Sequence, residues 1–577
     1  MKYLKLFLKE NKGKTALSLF LLLGQVIGTL LIPYLIADLI ESGILRGNMD
    51  AVWQIGGKML LVSLVATAVS VWGSYATADL GARFGKDMRE KLFRHTQDLS
   101  LRQFDDIGVS SMITRTTSDI ANLQQTMGMV LQMAVPAPII VGTAIVMTAS
   151  TSVEMAFLLI GFMVIFMLFA VYMLKKSGKL SHSIQARLDR INKVVRESIT
   201  GVRVIRAFGK EDHEEKRSGN AYEDYAQNMI RLNKLFAVLN PAVWLLMGLM
   251  MAAILALGGV YALEGTIGVG EITAVSEYAI ITLSYMIMGA GTLTTLPKAR
   301  SCLERLEEVL DTSPSVIDQP ISEQSTSTKA AIEFDQVTFA YPGAEEPVIK
   351  KLSFTCMPGQ TTAIIGSTGS GKSTVADLLL RLHDIQSGQI RIQGTDITSL
   401  TQIELRSRIG YVPQKAFLFS GTIADNLRMG NPSATPEDLY KALEIAQSIS
   451  FVDQLPQKLE TPIAQGGTNF SGGQRQRLSI ARALTRKASI FIFDDSFSAL
   501  DAKTDALLRA ALRDQVIEPA KLIIAQRVST ILDADQILVL DEGRLAGAGT
   551  HQELMDSCSV YQAIVESQMN REEAMSL

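Results

Sequence analysis

Charge is what this chain has least of. Only 20% of its 577 residues are Asp, Glu, Lys or Arg, against 47% hydrophobic, and mean hydropathy is positive at +0.21. Soluble globular chains run nearer about 25% charged, so part of this protein lies outside water. Cysteine is equally scarce: Cys302, Cys356 and Cys558 stand far apart, with neither metal-site spacing nor a disulfide framework. No basic stripe stands out, and a net charge of −3 with a pI near 6.1 argues against a nucleic-acid partner. Internal repeats and low-complexity tracts are missing too. These absences exclude disordered, fibrous and small secreted scaffolds.

What the first half does have is long uncharged runs. Residues 16–37 carry no charge and are long enough, at about 1.5 Å per residue, to cross a hydrocarbon core of about 30 Å. Lys2, Lys5, Lys9, Lys12 and Lys14 precede the run, Gln25 and Pro33 interrupt it, and no small-residue cleavage site is evident. It reads as an uncleaved first membrane helix rather than a signal peptide. Further spans follow at 59–78, 127–147, 155–174, 235–263 and 272–296, with 148–154 a tight turn and Glu277 the one charge inside the sixth span. The segments 79–126 and 175–234 are rich in Lys and Arg, which places the N-terminus, both long loops and the second half in the cytoplasm. The spacing of Leu180, Ile184, Leu188, Ile191, Val195 and Ile199 predicts helices that continue well beyond the bilayer.

Other membrane features have two readings. Glu277 is an intramembrane acid, expensive unless it serves as a cation-attracting wall or proton-linked group, or reaches water at the outer interface. Met247, Met250, Met251, Met286 and Met288 suit an adaptable ligand surface, or ordinary packing. Asn240-Pro241 is placed to kink the fifth helix. Asp38 and Glu41 are expected on a solvated outer rim. Residues 311–330, rich in Ser, Thr and Pro, have linker composition, dividing a membrane domain at 1–310 from a domain at 331–577. From Ala331 short β-rich runs alternate with helical stretches, an α/β pattern.

In that second half the sharpest motif is Gly366-Ser367-Thr368-Gly369-Ser370-Gly371-Lys372-Ser373-Thr374, between an apolar strand and a helix. Glycines let backbone N–H groups wrap phosphate oxygens, and a helix N-terminus adds partial positive charge. Lys372 would reach the β- and γ-phosphates of ATP and Ser373 would ligate Mg²⁺. A second apolar strand, 489–493, ends in Asp494 and Asp495, and an Asp in Asp494's place holds the metal in phosphoryl-transfer sites of this class. Between them Ser471-Gly472-Gly473-Gln474 opens a basic helix, another anion-binding start.

With these motifs the chain resembles, over essentially its whole length, an ATP-binding-cassette (ABC) transporter half of exporter type. The fold implied is six transmembrane helices with long cytoplasmic extensions, followed by an α/β P-loop ATP-binding cassette. The resemblance assigns Tyr341 to adenine stacking, Gln414 to the link between metal and membrane domain, Ser471–Gln474 to the signature motif and Asp501, in Ser498-Ala-Leu-Asp501, to the loop joining two sites. It also implies coupling regions at 104–119 and 201–208.

Two departures bear on mechanism. Asp495 stands where the family carries the water-polarising Glu, and Gln526 where it carries a histidine contacting the γ-phosphate. A neutral amide can hydrogen-bond but cannot shuttle a proton. Phe470 replaces the common Leu before the signature, and Gln465 a usual Glu. The pattern resembles the degenerate-site subunit of heterodimeric bacterial multidrug exporters. It implies a homologous second half-transporter as partner, an amphiphilic or cationic small-molecule substrate, and a multi-pass place in the bacterial plasma membrane bilayer. The alternatives are dedicated export of a lipid, peptide, haem-like or siderophore molecule, uptake on an exporter scaffold, and an ATP-gated membrane regulator. Vectorial movement into inverted vesicles separates pump from regulator.

Overall fold

A computed structural model of the chain describes residues 2–318 and 329–568, so much of the 311–330 segment lies outside the described residues. The chain divides into two compact units: Met1–Asp98 with Ile107–Ser313, and Leu99–Asp106 with Pro314–Leu577.

In the first unit, six described helical stretches are long and apolar enough to cross a membrane: Lys12–Ile44, Met49–Asp98, Val109–Thr151, Val153–Thr200, Glu211–Leu263 and Val269–Leu310. Each contains one of the six expected spans. The second, fourth and fifth have 50, 48 and 53 residues. At about 1.5 Å per residue that is more than twice a hydrocarbon core, so the loops 79–126 and 175–234 are largely helical extensions. Lipid offers no hydrogen bonds, and the hydroxyls of Thr29, Thr143, Thr148, Ser276 and Ser284 each donate to the carbonyl one turn back. Ser152 breaks the third helix from the fourth with extended backbone, and its hydroxyl accepts the Met155 N–H at 3.3 Å.

Three features of the membrane segments take definite places in the structure. Pro241 lies inside a helix that is continuous from Glu211 to Leu263. Met250 is buried with Met155, Leu159, Ile254 and Val275 in the core of the fourth, fifth and sixth helices, so it packs the bundle; Met288, by contrast, is 42% exposed. Glu41 is half-buried rather than fully solvated. It sits on a π-helical turn, Leu39–Ile44, and accepts the Gly270 N–H at 3.1 Å where the sixth helix begins. A Cβ on Gly268 would meet its carboxylate at 2.2–2.4 Å, so glycine there is what lets an acid reach a helix N-terminus.

The second unit is built on two sheets. β1 (Ile332–Phe339), β2 (Ile349–Cys356), β4 (Ser387–Ile392) and β5 (Thr395–Asp396) form an antiparallel sheet ordered β2-β1-β4-β5. β3 (Thr361–Gly366), β6 (Ile409–Val412), β9 (Ile490–Asp494), β10 (Ala520–Ile524), β11 (Gln536–Asp541) and β12 (Arg544–Gly549) form the larger one, ordered β12-β11-β3-β10-β9-β6. A short ribbon pairs β7 (Gly421–Thr422) with β8 (Pro462–Ile463). Within the larger sheet every pair but β11–β12 is parallel. Its strands are apolar on both faces, as a sheet buried on both sides requires: β9 and β10 are buried at every residue. Parallel strands point their C-terminal ends the same way, which is where such sheets bind ligands.

Candidate functional site

The order β3-β10-β9-β6 brings distant segments together. β10 pairs with both neighbours, Ile524 opposite Ile364 on one side and Asp494 on the other, and Val412 of β6 lies opposite Phe493. The phosphate loop, the paired aspartates, the 526 segment and Gln414 therefore leave the same edge of one sheet.

The loop after β3 is shaped by its glycines. Gly371 (φ +96°) caps the Lys372–Leu379 helix, and a Cβ on Gly366 would stand 2.2 Å from the Leu540 carbonyl. Lys372 Nζ donates to the carbonyls of Gly366 and Ser367 at 2.9 and 2.7 Å, so the ammonium is folded onto its own loop. Burial lowers its pKa, opposed by the nearby charges of Asp495 and Asp494. Thr368 and Gly369 form the exposed tip of the loop, and the Ser370 hydroxyl is buried without a partner among the described residues.

Ser373 donates its hydroxyl to Asp494 Oδ1 at 3.1 Å. Burial pushes Asp494 up to about 6, with the Ser373 hydrogen bond opposing. Gln414 uses its amide nitrogen on Asp495, leaving the amide oxygen for other ligands. A hydroxyl, a carboxylate and an amide oxygen are the hard donors that suit Mg²⁺, which keeps several waters and takes the rest of its shell from phosphate. No group of three or more acidic, His or Cys side chains suited to a metal occurs among the described residues.

Asp495 is the centre of the arrangement. It is 8% exposed, and its backbone is left-handed (φ +42°), a conformation Asp tolerates better than most residues. Its N–H donates to the Ile524 carbonyl at 2.8 Å, and Ser498 Oγ donates to its carbonyl at 2.8 Å. One carboxylate oxygen, Oδ2, accepts two amides: Gln414 Nε2 at 2.9 Å and Gln526 Nε2 at 2.8 Å. The two residues that the resemblance marks as departures thus bond each other.

Tyr341 is half-buried, its hydroxyl 3.2 Å from Thr374 Oγ1 and its ring edge-on to Phe339 (centroids 4.9 Å apart). His383 also packs edge-on to it at 5.4 Å, a neighbour that no sequence motif marked. Asp501 caps the Ala502–Gln515 helix, accepting the Thr504 N–H at 3.0 Å. Ser471 caps the Gly472–Leu484 helix, and with Gln474 it forms a reciprocal pair: Gln474 N–H to Ser471 Oγ, Ser471 N–H to Gln474 Oε1. Among the described residues these bonds stay inside the turn; none joins Ser471–Gln474 to the phosphate loop. Phe470 is buried in the core beside Phe451, so an aromatic here is packing. Glu277 is half-buried on the sixth helix, with no ion pair or hydrogen bond to another described side chain.

The chain matches the family model of the ABC transporter transmembrane region over residues 15–286 and that of the ABC transporter over 349–498. It is 35% identical to the ABC transporter ATP-binding protein YfiB of Bacillus subtilis, covering 98% of each chain. A multidrug efflux ATP-binding/permease protein of Mycobacterium tuberculosis is 34% identical over 83% of this chain and 40% of its own length. An ATP-dependent lipid A-core flippase of Pseudomonas fluorescens is 33% identical over 87% of this chain and 84% of its own. Among solved structures, a bacterial Atm1-family ABC exporter with ATP bound superposes with a TM-score of 0.78 at 25% identity, over 96% of this chain and 98% of that one.

Proposed function

The chain belongs to the ABC transporters as an exporter-type half-transporter, and on that premise we propose that it is one subunit of a heterodimeric pump whose own site grips ATP and hydrolyses it slowly. The observation that carries this reading is the pair of amides on Asp495. A carboxylate that activates water needs a free lone pair aimed at that water, and a partner group that can carry charge at the γ-phosphate. Asp495 is about 1.5 Å shorter than Glu, one of its oxygens is occupied by two amides, and the second amide, Gln526, replaces the chargeable imidazole.

The binding elements are intact. Tyr341 would stack on adenine, the 366–374 loop and Lys372 would cradle the phosphates, and Ser373, Asp494 and Gln414 would hold Mg²⁺. When bound, Mg²⁺ would neutralise charge between the β- and γ-phosphates. Ser471, Gly472, Gly473 and Gln474, which do not reach this chain's own loop, would face the ATP of the second subunit, and Asp501 would lie between the sites. The second loop supports a partner as well: its tip leaves Ile199 (69%), Val204 (61%) and Phe208 (73%) exposed in water, an apolar surface that a second chain's cassette would cover. The first loop's short helix, Leu101–Ile107, is accounted for differently, since Leu99–Asp106 belongs to the nucleotide-binding unit and Gln103 Oε1 accepts the Ser315 N–H at 3.1 Å.

The direct test is to extract the transporter natively from the bacterial plasma membrane and weigh it. One 62.9 kDa chain with one different chain of similar mass is the expected result; a dimer of this chain alone would sink the asymmetric pump and favour slow, binding-driven gating. The substrate is read as an amphiphilic or cationic compound, in keeping with the multidrug efflux relative, while the flippase relative makes a lipid the competing cargo. Glu277 would attract cations, so Glu277→Gln should lower transport of cationic dyes several-fold more than that of neutral ones. Equal losses for both in a vesicle assay would remove Glu277 from the substrate path.

A further inference from the structure

We infer that Gln568, in the helix Ser559–Gln568, is the positioning residue for the segment that carries Gln526. Its side-chain amide serves the backbone on both sides of Arg527: Nε2 donates to the Gln526 carbonyl at 2.8 Å, and Oε1 accepts the Val528 N–H at 2.9 Å. One primary amide here does what a neighbouring strand would do, satisfying a donor and an acceptor at once. The contact matters because Val528 is fully buried, so its N–H has no water to turn to.

The amide is fixed in space by the helix Ser559–Gln568 that carries it. Tyr561 and Val565 of Ser559–Gln568 are fully buried in the larger core, and the Tyr561 hydroxyl lies 2.8 Å from His551 Nδ1. A connected series follows: a buried helix face, the Gln568 amide, the backbone at 526–528, the Gln526 amide, and Asp495 Oδ2. β10 ends at Ile524, only two residues before Gln526, so the segment is held at one end by the strand and at the other by Gln568. Without the second hold, Gln526 keeps its amide but loses the backbone that aims it.

This rests on the reading that the pocket retains ATP, and the test separates the two. The assembled transporter is loaded with Mg²⁺ and an anthraniloyl-labelled ATP and chased with unlabelled ATP; the slow release phase that Lys372→Ala removes belongs to this chain's site. Gln568→Ala should speed that phase about tenfold, the scale of two lost hydrogen bonds. Gln568→Glu, which keeps the acceptor for Val528 but loses the donor to Gln526, should fall between, and serves if the alanine variant does not fold. Because Gln568 acts through Gln526, adding Gln568→Ala to Gln526→Ala should change nothing further. An unchanged slow phase in Gln568→Ala, or a full additional effect in the double variant, overturns the inference alone. Absence of any Lys372-dependent slow phase in the parent overturns the premise and the inference with it.

Discussion

Asp495→Glu combined with Gln526→His should raise ATP turnover at this chain's own site on the order of 100-fold, with each single change giving less than about tenfold. The measurement is phosphate release from the assembled transporter with the partner's site silenced. Both changes are needed because both side chains form one hydrogen-bonded unit: Gln526 and Gln414 donate to the same oxygen of Asp495. A Glu alone would be driven by its extra methylene toward the Gln526 amide. It would also occupy a left-handed backbone (φ +42°) that suits Asp better. A His alone would meet a carboxylate still about 1.5 Å short of the attacking water. Full activity from Asp495→Glu by itself would show the imidazole to be dispensable. A double variant no faster than the parent would place the defect elsewhere and sink the account of the site given above.

The second large effect concerns the signature motif. Gly473→Asp in this chain should cut ATP turnover of the whole transporter by about 100-fold or more, while Lys372→Ala in the same chain should cost less than about tenfold. The reason lies in where each group works. On the proposed reading, Lys372 serves a pocket that hydrolyses poorly. Gly473 lies at the start of a helix whose N-terminus is preset by the Ser471–Gln474 cap and would face the partner's γ-phosphate. A carboxylate some 4 Å from that phosphate, at an effective dielectric near 20, costs about 4 kcal/mol. The fold itself should survive. A Cβ on Gly473 meets nothing closer than the Ala499 carbonyl at 3.4 Å, and an acid in the first turn of a helix is favourable to it. The reverse pattern, with Lys372→Ala abolishing turnover and Gly473→Asp tolerated, would assign the chemistry to this chain's own pocket.

Much of this protein is decided within short windows of its sequence, because the physics involved is local. A membrane span needs about 20 apolar residues in a row, so all six could be read directly, as could their extensions from helical periodicity. A phosphate loop needs its glycines, lysine and hydroxyl within nine positions, and Gly366–Thr374 supplies them. The departures at Asp495 and Gln526 were visible for the same reason, each against its own motif.

Which side chains those two residues meet was decided only in three dimensions. Gln414, Asp495 and Gln526 meet because β10 inserts between β3 and β9, with β6 beside β9, an order that no window of residues encodes. The Gln568 contact, the burial of Met250 and the grip of Glu41 on the sixth helix depend likewise on which surfaces are apposed. Pattern specifies which elements form; packing and strand order, set by burial summed over the whole unit, specify which side chains become neighbours.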